Sequence, residues 1–127
     1  MFSYISALVI LTVLLVVNIL GPNVTHIDMR YFDIVLHLLG GAGLGFFFAG
    51  LTASFRSGRW HRISSIILLV GFCGIVWELF EIYYDITGYT LWTRLYYLDT
   101  AKDLINDALG GGLIAWFIVR KKQLNVY

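Results

Sequence analysis

Eight carboxylates, three histidines and one cysteine are the side chains of this 127-residue chain best suited to chemistry. The acids are Asp28, Asp33, Glu78, Glu81, Asp85, Asp99, Asp103 and Asp107, and their spacing is helical. Asp33 and His37 are i, i+4. Glu78, Glu81 and Asp85 are i, i+3, i+7. Asp99, Asp103 and Asp107 are i, i+4, i+8, with Asn106 beside them. On helices each set forms one stripe. One histidine, several carboxylates and an amide make an oxygen-rich ligand set, which suits Mg²⁺, Mn²⁺ or Ca²⁺, and Zn²⁺ through His37. The candidate metal ligands are His37, Glu78, Glu81, Asp99, Asp103, Asn106 and Asp107. Asp33, Asp85 and Arg94 form an outer polar shell.

A divalent ion would let like charges coexist and could bind or activate a phosphate-bearing head group. Without one, several of these carboxylates must hold a proton or find a partner, because burial and like neighbours both disfavour the charged form. His37 with a protonated Glu could then work as an acid/base pair. Catalysis, if the site catalyses, would fall to His37, Glu78, Glu81 and Asp103. Serine is scarce near these stripes, and Cys73 lies in an apolar run. Serine or cysteine nucleophilic chemistry is therefore not expected, and a single cysteine permits no intramolecular disulfide.

The elements that must position these groups are apolar. The chain is 59% hydrophobic and only 13% charged, with mean hydropathy +0.79. Soluble domains carry about 25% charged residues. Four apolar stretches stand out, at about 2–20, 32–53, 63–86 and 100–119. Each approaches the ~20 residues that cross a hydrocarbon core, and backbone in lipid must bond internally, so each should be a helix. The expected fold is all-α: one membrane domain, 1–127, a polytopic bundle of four transmembrane helices. The first stretch lacks a basic n-region and a small-residue cleavage site and reads as a retained helix that stops at Gly21-Pro22-Asn23. Asn23-Val24-Thr25 matches a glycosylation sequon with little weight.

Basic residues set the orientation. Arg56, Arg59 and Arg62 lie in the second connection, and Arg120, Lys121 and Lys122 in the tail. The positive-inside rule puts both termini and that connection in the cytoplasm, N-in/C-in. Arg30, Arg94 and Lys102 remain on the other side. Tyr89, Trp92, Tyr96 and Tyr97 suit an interfacial belt, with 88–98 along the membrane surface. Seven acids, all but Asp28, then fall at the outer ends of three helices. At 1.5 Å per residue, His37, Glu78, Glu81, Asp103 and Asp107 lie roughly 5–15 Å below the outer interface. Acids at such depth are costly and should face the bundle interior. A purely structural account would make Asp99 and Asp103 helix caps, pair Glu81 or Asp85 with Arg94, and pair His37 with Asp33. It leaves His37, Glu78, Glu81, Asn106 and Asp107 deeper than caps require.

Glycines concentrate in the second and fourth helices. Gly41-x-x-x-Gly45 permits close backbone approach, and the Gly-rich faces could serve a homo-oligomer. A phosphate loop is not indicated, because no lysine follows in Walker spacing and no strand precedes.

His37 with Gly40-Gly41, then Trp77-Glu78-Leu79-Phe80-Glu81, then Asp99-Thr100-Ala101-Lys102-Asp103-Leu104-Ile105-Asn106-Asp107 with Gly110, resembles the YjdF-type inner-membrane proteins of unknown function. The pattern is also similar, more distantly, to VanZ-like membrane proteins. The likeness covers roughly residues 33–112 and rests on His37, Glu78, Glu81, Asp99, Asp103 and Asn106. It implies a prokaryotic cytoplasmic membrane location and an architecture, but no reaction. The expected function is an acidic site, suited to a divalent metal and open to the outer leaflet, that binds or acts on a lipid or envelope amphiphile. The alternatives are a proton- or cation-coupled transporter and a non-catalytic accessory or assembly protein. No nucleic-acid partner is expected.

Overall fold

The computed structural model describes residues 2–24, 29–54, 58–85 and 89–124. Residues 25–28, which hold Asp28 and the end of the sequon, lie outside the described residues, as do Arg56 and Gly88. The described chain is all-helical, 93% helix. Its elements are α1 (Phe2–Val24), α2 (Met29–Leu51) with a 3₁₀ turn at Thr52–Ser54, α3 (Arg59–Tyr84) and α4 (Arg94–Leu124). Among the described residues two segments, Tyr31–Ser54 and Arg59–Tyr84, are long and apolar enough to cross a membrane.

Three helix ends differ from the sequence expectation. α1 continues through Gly21-Pro22 to Val24. A proline removes its own hydrogen bond, and in a last turn little helix remains to break. α4 begins at Arg94, six residues before position 100. The reason is local: Thr93 Oγ1 accepts from Tyr96 N–H at 3.3 Å and Thr93 C=O accepts from Tyr97 N–H at 3.2 Å. Thr93 is thus the N-cap, and Asp99 and Asp103 sit within the helix rather than at its cap. The stretch expected along the surface is partly the first turns of α4.

The third difference concerns Arg62. It lies inside α3, only 7% exposed, and not in an exposed connection. Its Nη2 donates to Ala49 C=O at 2.7 Å and its Nε to Thr52 Oγ1 at 3.3 Å. The last carbonyls of α2 have no partner within their own helix, and Arg62 supplies one. Around it Ala49, Ile63, Ile66, Val70, Ala115 and Val119 form the apolar core.

The closest approach is between α2 and α4, made by glycine. A Cβ at Gly41 would run into the backbone carbonyl of Asp107, and one at Gly110 into the carbonyl of Leu38. A Cβ at Gly45 would lie 2.9 Å from Gly111 Cα. The Gly41-x-x-x-Gly45 face therefore meets the chain's own α4, as small residues permit. α3 packs on α4 and less on α2, while α1 packs on α2. Among the described residues α1 and α3 scarcely meet, so a cleft lies between them over one face of α2.

Candidate functional site

The close α2–α4 approach brings the acidic stripes together. His37, from α2, is 7% exposed and stands between two carboxylates. Its Nδ1 lies 3.3 Å from Asp107 Oδ2 and its Nε2 3.6 Å from Asp33 Oδ1. The Asp107 contact is possible because Gly41 and Gly74 carry no side chain: a Cβ at Gly74 would come within 2.6 Å of Asp107 Oδ2.

A lysine holds the outer half of the cluster. Lys102 Nζ donates to Asp99 Oδ1 at 2.7 Å and to Asp33 Oδ2 at 3.0 Å. It also lies 3.2 Å from Asp103 Oδ1, yet that oxygen has no hydrogen-bond partner among the described residues. The contact is therefore an ion pair without hydrogen-bond direction. Lys102, Asp33 and Asp99 are 25–33% exposed, whereas Asp103 and Asp107 are buried. Asp33 links the two halves, with one oxygen toward His37 and the other on Lys102.

The α3 acids engage differently. Glu78, 7% exposed, accepts from Thr100 Oγ1 at 2.7 Å through Oε2. Among the described residues its Oε1 has no partner, and neither has the buried Asn106 Nδ2. Glu81 Oε1 accepts from Trp77 Nε1 at 2.8 Å.

The structure thus places His37, Asp33, Asp99, Asp103 and Asp107 in one network. Glu78 is tied to it through the first turns of α4, and Glu81 borders it from α3. Two expected shell residues are not brought in. Asp85 is exposed and forms the left-handed C-cap of α3, at φ 53° and ψ 42°, a conformation Asp tolerates. Arg94 is exposed at the start of α4 and pairs with neither Glu81 nor Asp85 among the described residues. Two participants were missed, Lys102 as the hub and Thr100 as the partner of Glu78. Lys102 was legible in principle, since it sits i+3 from Asp99 and next to Asp103.

Asp33, His37 and Asp103 each offer a ligand atom within 4.8 Å of the others, close enough to hold a metal. The Lys102 ammonium, however, already contacts two of these three. It performs part of the neutralisation that a divalent ion would otherwise supply.

Beside this network lies a cavity of about 430 Å³, within the ~300–1,000 Å³ range of small-molecule sites. Its polar end is formed by Asp33, His37, Glu81 and Asp107. Its walls are Leu11 and Leu14 of α1, Leu36, Gly40 and Leu44 of α2, and Cys73, Gly74 and Trp77 of α3. From Asp33 to Leu44 the lining spans about 16 Å of helix axis at 1.5 Å per residue. The cavity is polar at one end and greasy along its length. The part α1 plays in it has no signal in the sequence, because no charged residue marks that helix.

Residues 1–123 match a family model described as "Predicted membrane protein (DUF2238)". The YjdF-type resemblance is consistent with that family, while the likeness to VanZ-like proteins is not shown. No curated protein and no solved structure matches the chain.

Proposed function

Because the chain belongs to the DUF2238 family of predicted membrane proteins, we propose that it spans the membrane four times and holds an amphiphile in the cavity between α1, α2 and α3. The head group sits at Asp33, His37, Glu81 and Asp107, and the tail lies along Leu14, Leu36 and Leu44. The observation that carries this reading is the change of the cavity wall from carboxylate and imidazole to leucine along one axis. A site for a purely polar ligand would not need the leucines, and one for a hydrocarbon would not place acids at its end. The basic residues Arg59 and Arg120, at the end opposite the acids, favour an N-in/C-in topology. In that topology the polar end faces the outer leaflet of a prokaryotic cytoplasmic membrane.

A second reading is a divalent ion at Asp33, His37 and Asp103, favoured by the closeness of their ligand atoms. It would require Lys102 to move aside.

The test is a cavity-filling variant. A Cβ at Gly40 meets only Leu14 Cδ1, at 4.0 Å, so Gly40→Leu projects into the cavity without striking backbone. Wild type purified from its membrane in mild detergent should retain an amphiphile, detected by native mass spectrometry. Gly40→Leu should lose it while keeping its helix content. Equal retention by both proteins would remove the cavity from the account.

A further inference from the structure

We infer that the amphiphile in this cavity carries a cationic amine or ammonium head group, not a phosphate. The inference rests on the amphiphile reading and adds the chemistry of the head. The polar end presents three carboxylates, Asp33, Glu81 and Asp107, against one imidazole, His37. Even with His37 charged, acids outnumber cations there three to one. Among the described lining residues there is no lysine or arginine. The nearby lysine does not serve the cavity: Lys102 is held by Asp99 and Asp33 and touches Asp103, and it is not part of the wall. A phosphate brought to this end would face carboxylates with no guanidinium or ammonium to receive it. Phosphate sites use such cations, or helix N-termini, and this end is reached by side chains from within α2, α3 and α4.

An ammonium finds the opposite situation. Trp77 lines the cavity, and its indole N–H is held by Glu81 Oε1 at 2.8 Å. That bond fixes the ring beside a carboxylate. An aromatic face next to an acid attracts ammonium through the ring quadrupole and the charge together. Asp33 is 33% exposed, and its Oδ1 is only loosely engaged, at 3.6 Å from His37 Nε2. The cleft is about 16 Å long and drug-sized in volume, which fits one chain below one small head.

Cys73 supplies a native reporter, because it is the chain's one cysteine and lies on the cavity wall. The wild-type protein in liposomes of digalactosyldiacylglycerol, which carries neither ammonium nor phosphate, is treated with N-ethylmaleimide, an uncharged reagent. The alkylation rate of Cys73 is followed by mass spectrometry in the presence of dodecylamine, dodecyl phosphate or dodecanol. A cationic amphiphile in the bilayer raises the local pH and so the thiolate fraction, which speeds alkylation. Slowing by dodecylamine therefore reports occupancy and not surface charge; the opposite surface effect of dodecyl phosphate is measured on Gly40→Leu, whose cavity is filled, and divided out of the wild-type rate. Dodecylamine should slow the reaction at least about fivefold and dodecyl phosphate less than about twofold, a gap of order the ammonium–aromatic and ammonium–carboxylate attraction. Asp33→Asn and Glu81→Gln, each checked for unchanged helix content, should each shrink that gap.

Equal slowing by all three probes would overturn the head-group assignment and leave the amphiphile reading standing. Stronger slowing by dodecyl phosphate would reverse the assignment. No slowing by any probe would bring down the amphiphile reading itself.

Discussion

Replacing Lys102 with methionine removes the one ammonium that touches three carboxylates while keeping a long apolar stem. The contacts are 2.7 Å to Asp99, 3.0 Å to Asp33 and 3.2 Å to Asp103. Breaking a fully buried pair from one side costs about 3–5 kcal/mol, because a charge is left uncompensated. Exposed pairs contribute only about 0–1 kcal/mol. Lys102 is 30% exposed, Asp33 33% and Asp99 25%, but Asp103 is 5% exposed. The expected loss lies between these limits, about 2 kcal/mol, most of it from stranding Asp103. For a chain of this size that lowers the unfolding midpoint by roughly 5–10 °C. Thermal melts by circular dichroism in one detergent measure it. Two further arms separate charge from packing. The double variant Lys102→Met/Asp103→Asn should regain about half the loss, and Mn²⁺ should raise the midpoint of Lys102→Met more than that of wild type, because the vacated position borders two of the three candidate ligands. A midpoint within about 1 °C of wild type would refute the reasoning, since it would mean that water already screens these charges.

Gly41→Ala should destabilise the fold by more than about 2 kcal/mol, because its Cβ meets the backbone of Asp107 and backbone cannot swing away. Gly40→Ala, one residue away with only a 4.0 Å contact, should fall within about 0.5 kcal/mol of wild type or above it in the same melts. Arg62→Ala should cost about 2–3 kcal/mol through the orphaned Ala49 carbonyl and Thr52 hydroxyl, with Arg62→Lys recovering only part. A C-terminal reporter active only in the cytoplasm should be active, and a periplasm-only reporter inserted after Thr90 should also be active; the opposite pair would invert the topology.

Periodicity carried the site further than it carried the helix ends. The stripes Asp33/His37 and Asp99/Asp103/Asp107 do converge, because i, i+4 spacing fixes a face whatever the exact boundary. α4 begins at Arg94, ahead of the apolar run that starts at about position 100, because hydropathy marks the run and not the cap. The true cap, Thr93, lay in an aromatic stretch that also suited an interface. Arg62 was counted with its basic neighbours as part of a connection, since sequence alone does not show which of three nearby arginines turns inward to meet a helix end. Lys102 reads in the sequence as one of three outer cations, with Arg30 and Arg94, that could receive a phosphate, and not as the partner of the acids, because a lone cation beside acids on a helix surface usually forms weak solvated pairs. Only the approach of α2, through Gly41, adds Asp33 and turns those pairs into a network. The cavity was illegible altogether. It depends on α1 and α3 flanking α2 without closing on each other, and on Gly40 and Gly74 leaving room in its wall.

The account turns on what fills that cavity. The most direct measurement is a structure of the protein cut from its own membrane in polymer-bounded discs of native lipid, without detergent or added lipid. The account predicts elongated density along Leu14, Leu36 and Leu44, ending in a group within hydrogen-bond reach of Asp33 or Glu81. A cavity collapsed onto α1, or water alone at its polar end, would contradict it.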